Sequence, residues 1–130
     1  MNKLDMIEDY LCDMVDKTYH DNILCDKEFI PSIPNCRAIT VTSVKKGNDD
    51  LSHIEMYDVT LKAVRSKRSQ AVIDFNIGNE MLPFYGKKVS DLFAISANLT
   101  YSIPPTKIMV DNKNVYVFSV NFKVTVISEN

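Results

Sequence analysis

The sequence predicts an α+β domain, an antiparallel sheet of about four strands with two helices packed on it. Three observations carry this. Leu4, Ile7, Leu11, Met14 and Val15 recur at helical spacing near the start, as on an amphipathic helix. Tyr116, Phe118, Val120, Phe122, Val124 and Val126 alternate strictly near the end, as on a long strand with one buried face. Polar turns join the intervening strand patterns, and strands joined by short turns pair antiparallel. A length of 130 residues fits one domain, 1–130, able to hold a core without staples.

Residues 4–19 form the first predicted helix. Tyr10 widens its apolar stripe, and Asp5, Glu8, Asp9, Asp13 and Asp16 make the opposite face acidic. Like charges four apart repel by a few tenths of a kcal/mol each, so packing must hold this helix more than its surface does. Residues 20–37 read as irregular, because Pro31 and Pro34 remove backbone donors. A strand follows at 38–44, where Ile39 and Val41 alternate with Thr40 and Thr42.

The segment Lys45-Lys46-Gly47-Asn48-Asp49-Asp50-Leu51-Ser52 is turn chemistry, longer than a tight hairpin needs. Tyr57, Val59, Leu61 and Ala63 then mark a half-buried strand. Residues 66–82 admit two readings. Ile73, Phe75 and Ile77 alternate as in a strand, whereas Ala71, Phe75, Gly78 and Leu82 make a helical stripe. Ser66 or Ser69 would cap that helix, although Arg65, Lys67 and Arg68 crowd its positive end. Ala97, Leu99, Tyr101 and Ile103 form another strand, which Pro104-Pro105 is expected to stop. Asp111-Asn112-Lys113-Asn114 is a turn before the last strand.

The residues give little sign of catalysis. His20 and His53 lie in predicted loops or at their edges, outside any catalytic motif. Cys12, Cys25 and Cys36 show no Cys-x-x-Cys spacing, and with His20 they match no common zinc pattern. Three glycines supply no phosphate-cradling loop. Fifteen basic residues against 17 acidic ones, a net charge of −2, argue against a general nucleic-acid binder. No enzymatic role, cofactor or metal is therefore expected. An acidic, amphipathic start and the lack of an apolar run of about 18 residues predict a cytosolic protein without a membrane span. The candidate interaction features are the loop Lys45, Lys46, Gly47, Asn48, Asp49 and Asp50, the basic cluster Arg65, Lys67 and Arg68, and the acidic face Asp5, Glu8, Asp9, Asp13 and Asp16.

Three stretches resemble the bacteriophage tail-terminator family, also called minor capsid or tail completion proteins, of the lambda tail-terminator type. They are the opening Ile7-Glu8-Asp9-Tyr10-Leu11, the block from Tyr57 to Lys67, and the ending that runs from Ile103-Pro104-Pro105 through Asp111-Asn112-Lys113-Asn114 to Val124. The resemblance implies two helices on an antiparallel sheet, which favours the helix at 66–82. It also implies a structural, non-enzymatic virion assembly protein. This would be a hexameric ring that caps the tail tube, stops its polymerisation and mediates head-tail joining. Its implied partners are further copies of itself, the tail tube protein and the head-tail connector or stopper protein, with a tail sheath protein as a further candidate. DNA would pass through the ring without specific binding. The protein would reside in the host cytoplasm during assembly and then at the head-proximal end of the virion tail.

Residues 20–37 have no recognised counterpart in the family. A head-completion or neck ring subunit, another tube-like tail component, or a small cytosolic α+β enzyme or ligand-binding module stay open as alternatives. In a ring that DNA traverses, basic walls would hold phosphates. One acidic group, preferably the loop tip with Asp49 and Asp50, is therefore expected to face the channel, with Arg65, Lys67 and Arg68 at a protein contact.

Overall fold

A computed structural model describes residues 3–46, 54–90 and 93–128. Its elements are α1 (Lys3–Thr18), β1 (Cys25–Asp26), β2 (Cys36–Lys46), β3 (Ile54–Arg65), α2 (Arg68–Glu80), β4 (Phe84–Ser90), β5 (Phe93–Val110) and β6 (Lys113–Ser128). The expected α+β architecture is present, with six strands in the order β1-β2-β3-β6-β5-β4. The four expected strands are β2, β3, β5 and β6. To these the fold adds β4 at one edge and the two-residue β1, which pairs parallel to β2 at the other.

Register explains the core. Ile39, Leu61 and Val120 lie in one row across the sheet, and Val41, Val59 and Phe122 in the next. Side chains alternate between faces along each strand, so these rows share one face, the one the helices cover. Ile7, Leu11, Val15 and Tyr19 come from α1 and its end, and Ala71 from α2, to join this core. Helix α2 lies over β3, β5 and β6, whereas α1 touches β1, β2 and also β4. The sheet thus curls, bringing the two ends of its strand order to the same helix.

The segment at 66–82 resolves as helix, and its burial runs against the strand alternation. Asp74 is 5% exposed while Ile73 is 59% exposed. Neither Ser66 nor Ser69 caps the helix: the N-cap position is Lys67, with no side-chain cap. Basic residues at this positive end are unfavourable, so tertiary contacts must hold α2. Gly78 permits its close approach, since a Cβ there would lie 3.0 Å from the Tyr19 hydroxyl and 3.2 Å from Val120. The ring of Phe75 meets that of Phe118 edge-on at 5.7 Å, a favoured aromatic geometry.

Two local expectations are corrected. Pro104-Pro105 does not stop the strand, because β5 runs on to Val110. Its ladder to β6 steps from Ile103↔Ser119 to Thr106↔Val117, leaving one extra residue on β5. This bulge accommodates two residues that lack the N–H a regular ladder would use. The turn is also tighter than expected. Asp111 and Asn112 alone reverse the chain at φ 52° and 62°, and β6 already begins at Lys113. Positive φ at both central residues is the hairpin turn that matches strand twist, and Asp and Asn tolerate it.

Candidate functional site

The buried charges are the best-defined polar arrangement. Arg37 continues the inward-facing series of Ile39 and Val41, and Arg65 that of Leu61 and Ala63, so both guanidiniums enter the helix-covered side. Asp74 Oδ2 accepts from Arg37 Nη2 at 3.1 Å and from Arg65 Nη1 at 2.6 Å. Asp21 accepts from both terminal nitrogens of Arg37, at 3.2 and 2.9 Å. Arg65 Nε donates to Asn35 at 3.1 Å, and the Tyr19 hydroxyl donates to the Asp74 carbonyl at 2.6 Å. The Arg37 guanidinium also sits 3.6 Å from the Tyr19 ring centre, a cation–π contact.

Two arginines face two aspartates here, so formal charge balances. The hydrogen bond from Arg37 holds the Asp21 carboxyl below its usual range against the opposing effect of burial. Burial, the largest influence, pushes the Tyr19 hydroxyl well up. The network joins β2, β3, α2 and the segment after α1. With Arg37 only 1% exposed, it is largely an internal brace.

This corrects the expected basic cluster. Arg65 is buried and ion-paired, because it extends the inward alternation of β3 by one step. Lys67 and Arg68 do remain exposed. On α1, Asp13 pairs with Lys17 at 2.9 Å and Asp9 with Lys27 at 2.6 Å. Asp16 accepts from the backbone N–H of Cys25 at 2.7 Å. Part of the acidic face thus anchors the segment after the helix, while Asp5 and Glu8 stay partly exposed. Lys45 and Lys46 belong to β2, not to a loop. Gly47, Asn48, Asp49, Asp50 and His53 lie outside the described residues. His20 is exposed. Among the described residues no group of three His, Cys, Asp or Glu could hold a metal ion, and no helix is long and apolar enough to cross a membrane.

Sequence reasoning missed a surface on β5. Strand β4 pairs with β5 only from Phe93 to Ala97, so from Asn98 to Val110 the outer edge of β5 has no strand partner among the described residues. Along that edge Leu99, Tyr101, Ile103, Ile108 and Met109 are 37–68% exposed. Tyr101 and Ile103 pair with Asn121 and Ser119, on the sheet face opposite the helices. A shallow depression of about 290 Å³ opens there between Lys62, Ile103, Thr106, Ile108, Val117 and Ser119. Nearer β2 the same face is closed by the chain before it: Phe29 packs against Cys36, Val64 and Val115, and the Lys62 ammonium lies 5.0 Å from its ring centre. The signal was available, since β5 carries apolar residues on both sides of its pleat where a surface edge strand needs them on one.

No known family model matches this chain, and no curated protein is significantly similar to it.

Proposed function

We propose that this chain is a non-enzymatic structural subunit of a bacteriophage tail, a tail-terminator-like protein. Copies of it would form a ring, of about six by the family resemblance, that caps the tail tube and joins it to the head connector. The observation that carries this reading is the outer edge of β5 from Asn98 to Val110, which has no strand partner among the described residues and is lined by five exposed large apolar residues. Unpaired strand edges template pairing with another chain, and clustered apolar surface marks association sites. A ring closed by head-to-tail contacts needs two different surfaces on each subunit. The outer edge of β2 supplies a second candidate, because β1 covers it only at Arg37 and Ala38. The resemblance of the opening helix, the block from Tyr57 to Lys67 and the hairpin ending gives the assembly its proposed place in a virion.

The test is sedimentation of the purified chain alone and with tail tubes of the cognate virion. Tube-bound rings that halt further tube growth are expected, whether the free chain is monomeric or not. Tubes that keep growing in its presence, with no chain at their ends, would refute the reading. Tube-end binding by a variant with Lys in place of Ile103 would show that β5 is not the surface used.

A further inference from the structure

Two of the three cysteines meet where α1 faces β1. Asp9, Cys12 and Asp16 fall on one side of α1 by their spacing of three and four, and residues 25–27 lie along that side. Asp16 Oδ1 accepts from the Cys25 N–H at 2.7 Å, and Lys27 Nζ pairs with Asp9 at 2.6 Å. These two tethers flank the thiols. Cys12 Sγ lies 3.8 Å and Cys25 Sγ 3.5 Å from the same acceptor, the carbonyl oxygen of Asp26. Both cysteines are partly exposed, whereas Cys36 is buried against Val64 and Val115.

We propose that Cys12 and Cys25 form a peroxide-sensitive dithiol site, in which oxidation closes an intrachain disulfide between α1 and β1. Packing alone needs no second thiol at this contact, and a shared acceptor brings both sulfurs to one place. The roles are unequal. The neighbouring Cys25 thiol lowers the Cys12 thiol, against burial and the charges of Asp16 and Asp9, while Lys27 assists. The Cys25 thiol is pushed up, first by the neighbouring Cys12 and then by burial. Cys12 is therefore the attacking sulfur, since the thiolate is the nucleophile.

The Cys12 thiolate attacks one oxygen of hydrogen peroxide. The O–O bond breaks, hydroxide leaves and takes a proton to become water, and Cys12 becomes a sulfenic acid. The Cys25 sulfur then attacks the Cys12 sulfur. An S–S bond forms as the S–O bond breaks, and the departing hydroxide takes the Cys25 proton. Two thiols and one peroxide give one disulfide and two waters.

The test treats the folded full-length chain with hydrogen peroxide, quenches it, and counts thiols after unfolding. Titratable thiols should fall from three per chain to one, with a Cys12–Cys25 cross-link in the peptide map and no covalent dimer. The oxidised chain should melt roughly 5 °C higher, reversibly with reductant, because the bridge closes a short loop. C36S should behave like wild type, C12S should keep its two thiols, and C25S should stop at a dimedone-reactive Cys12. Persistence of all three thiols, a cross-link that includes Cys36, or bridges only between chains would overturn the proposal. The wild-type peptide map decides even where a serine variant folds poorly.

Discussion

The row Ile39, Leu61 and Val120 is fully buried beneath the helices. One residue along the strands, the row Ala38, Lys62, Ser119 and Ile103 faces the other way and ends in an isoleucine 48% exposed. The two rows share backbone, register and strand order, so the difference lies in what covers them. The inner face is sealed by α1, α2 and the Arg37–Asp74–Arg65 brace. Among the described residues, the outer face is covered near β2 by Phe29 and the chain around it, and the edge of β5 from Asn98 to Val110 has no strand partner. Substitutions on the inner face should therefore cost folding, and substitutions on the outer face should cost association.

The sharpest break of the inner face is Asp74→Ala. It leaves Arg37 and Arg65 buried with Asp21 as the remaining carboxylate. Removing one partner of a buried ion pair costs about 3–5 kcal/mol. Denaturant unfolding should show a midpoint shift of that size, and a change below about 1 kcal/mol would mean the brace is dispensable.

Gly78→Ala is milder. Alanine gains up to about 1 kcal/mol of helix propensity, but its methyl meets Tyr19, Val120 and Leu61, and overpacking costs about 1–3 kcal/mol. A net loss of about 1 kcal/mol is expected, read from the same unfolding curves.

Acid should probe the brace from its exposed end. The Asp21 carboxyl sits below its ordinary pKa in the folded chain. Its contribution is therefore present above the unfolded value, about 3.9, and is lost as pH falls through the lower folded value. Melting temperatures taken from pH 7 down to 3 should drop in the acid range, and Asp21→Asn should flatten that part of the profile.

The smallest effect on folding belongs to the outer face. Ile103→Lys should stay within about 0.5 kcal/mol of wild type, as exposed substitutions do. Yet it should weaken self-association or tube-end binding at least about tenfold, because a charge on a free edge opposes strand pairing. Loss of stability with unchanged association would reverse the contrast between the two faces.

Legibility in the sequence follows the same division. Helix α1 and strands β3 and β6 were readable because a single buried face imposes a clean period. Helix α2 was legible only as one of two readings, because its buried stripe contains Asp74, a residue that carries no apolar signal. The run of basic residues groups Arg65 with Lys67 and Arg68 as a partner-contact cluster. The place of Arg65 two residues after Ala63 was the better guide, as it was for Arg37 two before Ile39. Strand β4 escaped because Phe84-Tyr85-Gly86-Lys87-Lys88-Val89-Ser90 has no sustained alternation. The β5 surface escaped because Pro104-Pro105 read as an end, when the bulge let the strand continue. For the proposed assembly, the loop at 47–50 remains an expectation from the sequence, and β5 is the feature that the fold contributes.

The position of β6 has a consequence for biosynthesis. It pairs with β3 over residues 54–65 and with β5 over 93–110, so it sits near the middle of the strand order although it is translated after every other described element. A nascent chain can complete α1 and the β2–β3 pairing early, but the two parts of the sheet cannot be zipped together until residues 116–127 leave the ribosome. The β5–β6 hairpin is local and can close in about microseconds, whereas its docking on β3 joins distant segments and is slow. A ribosome stalled before Tyr116 would hold an incomplete sheet, with the inner edge of β3 bare beside other nascent chains.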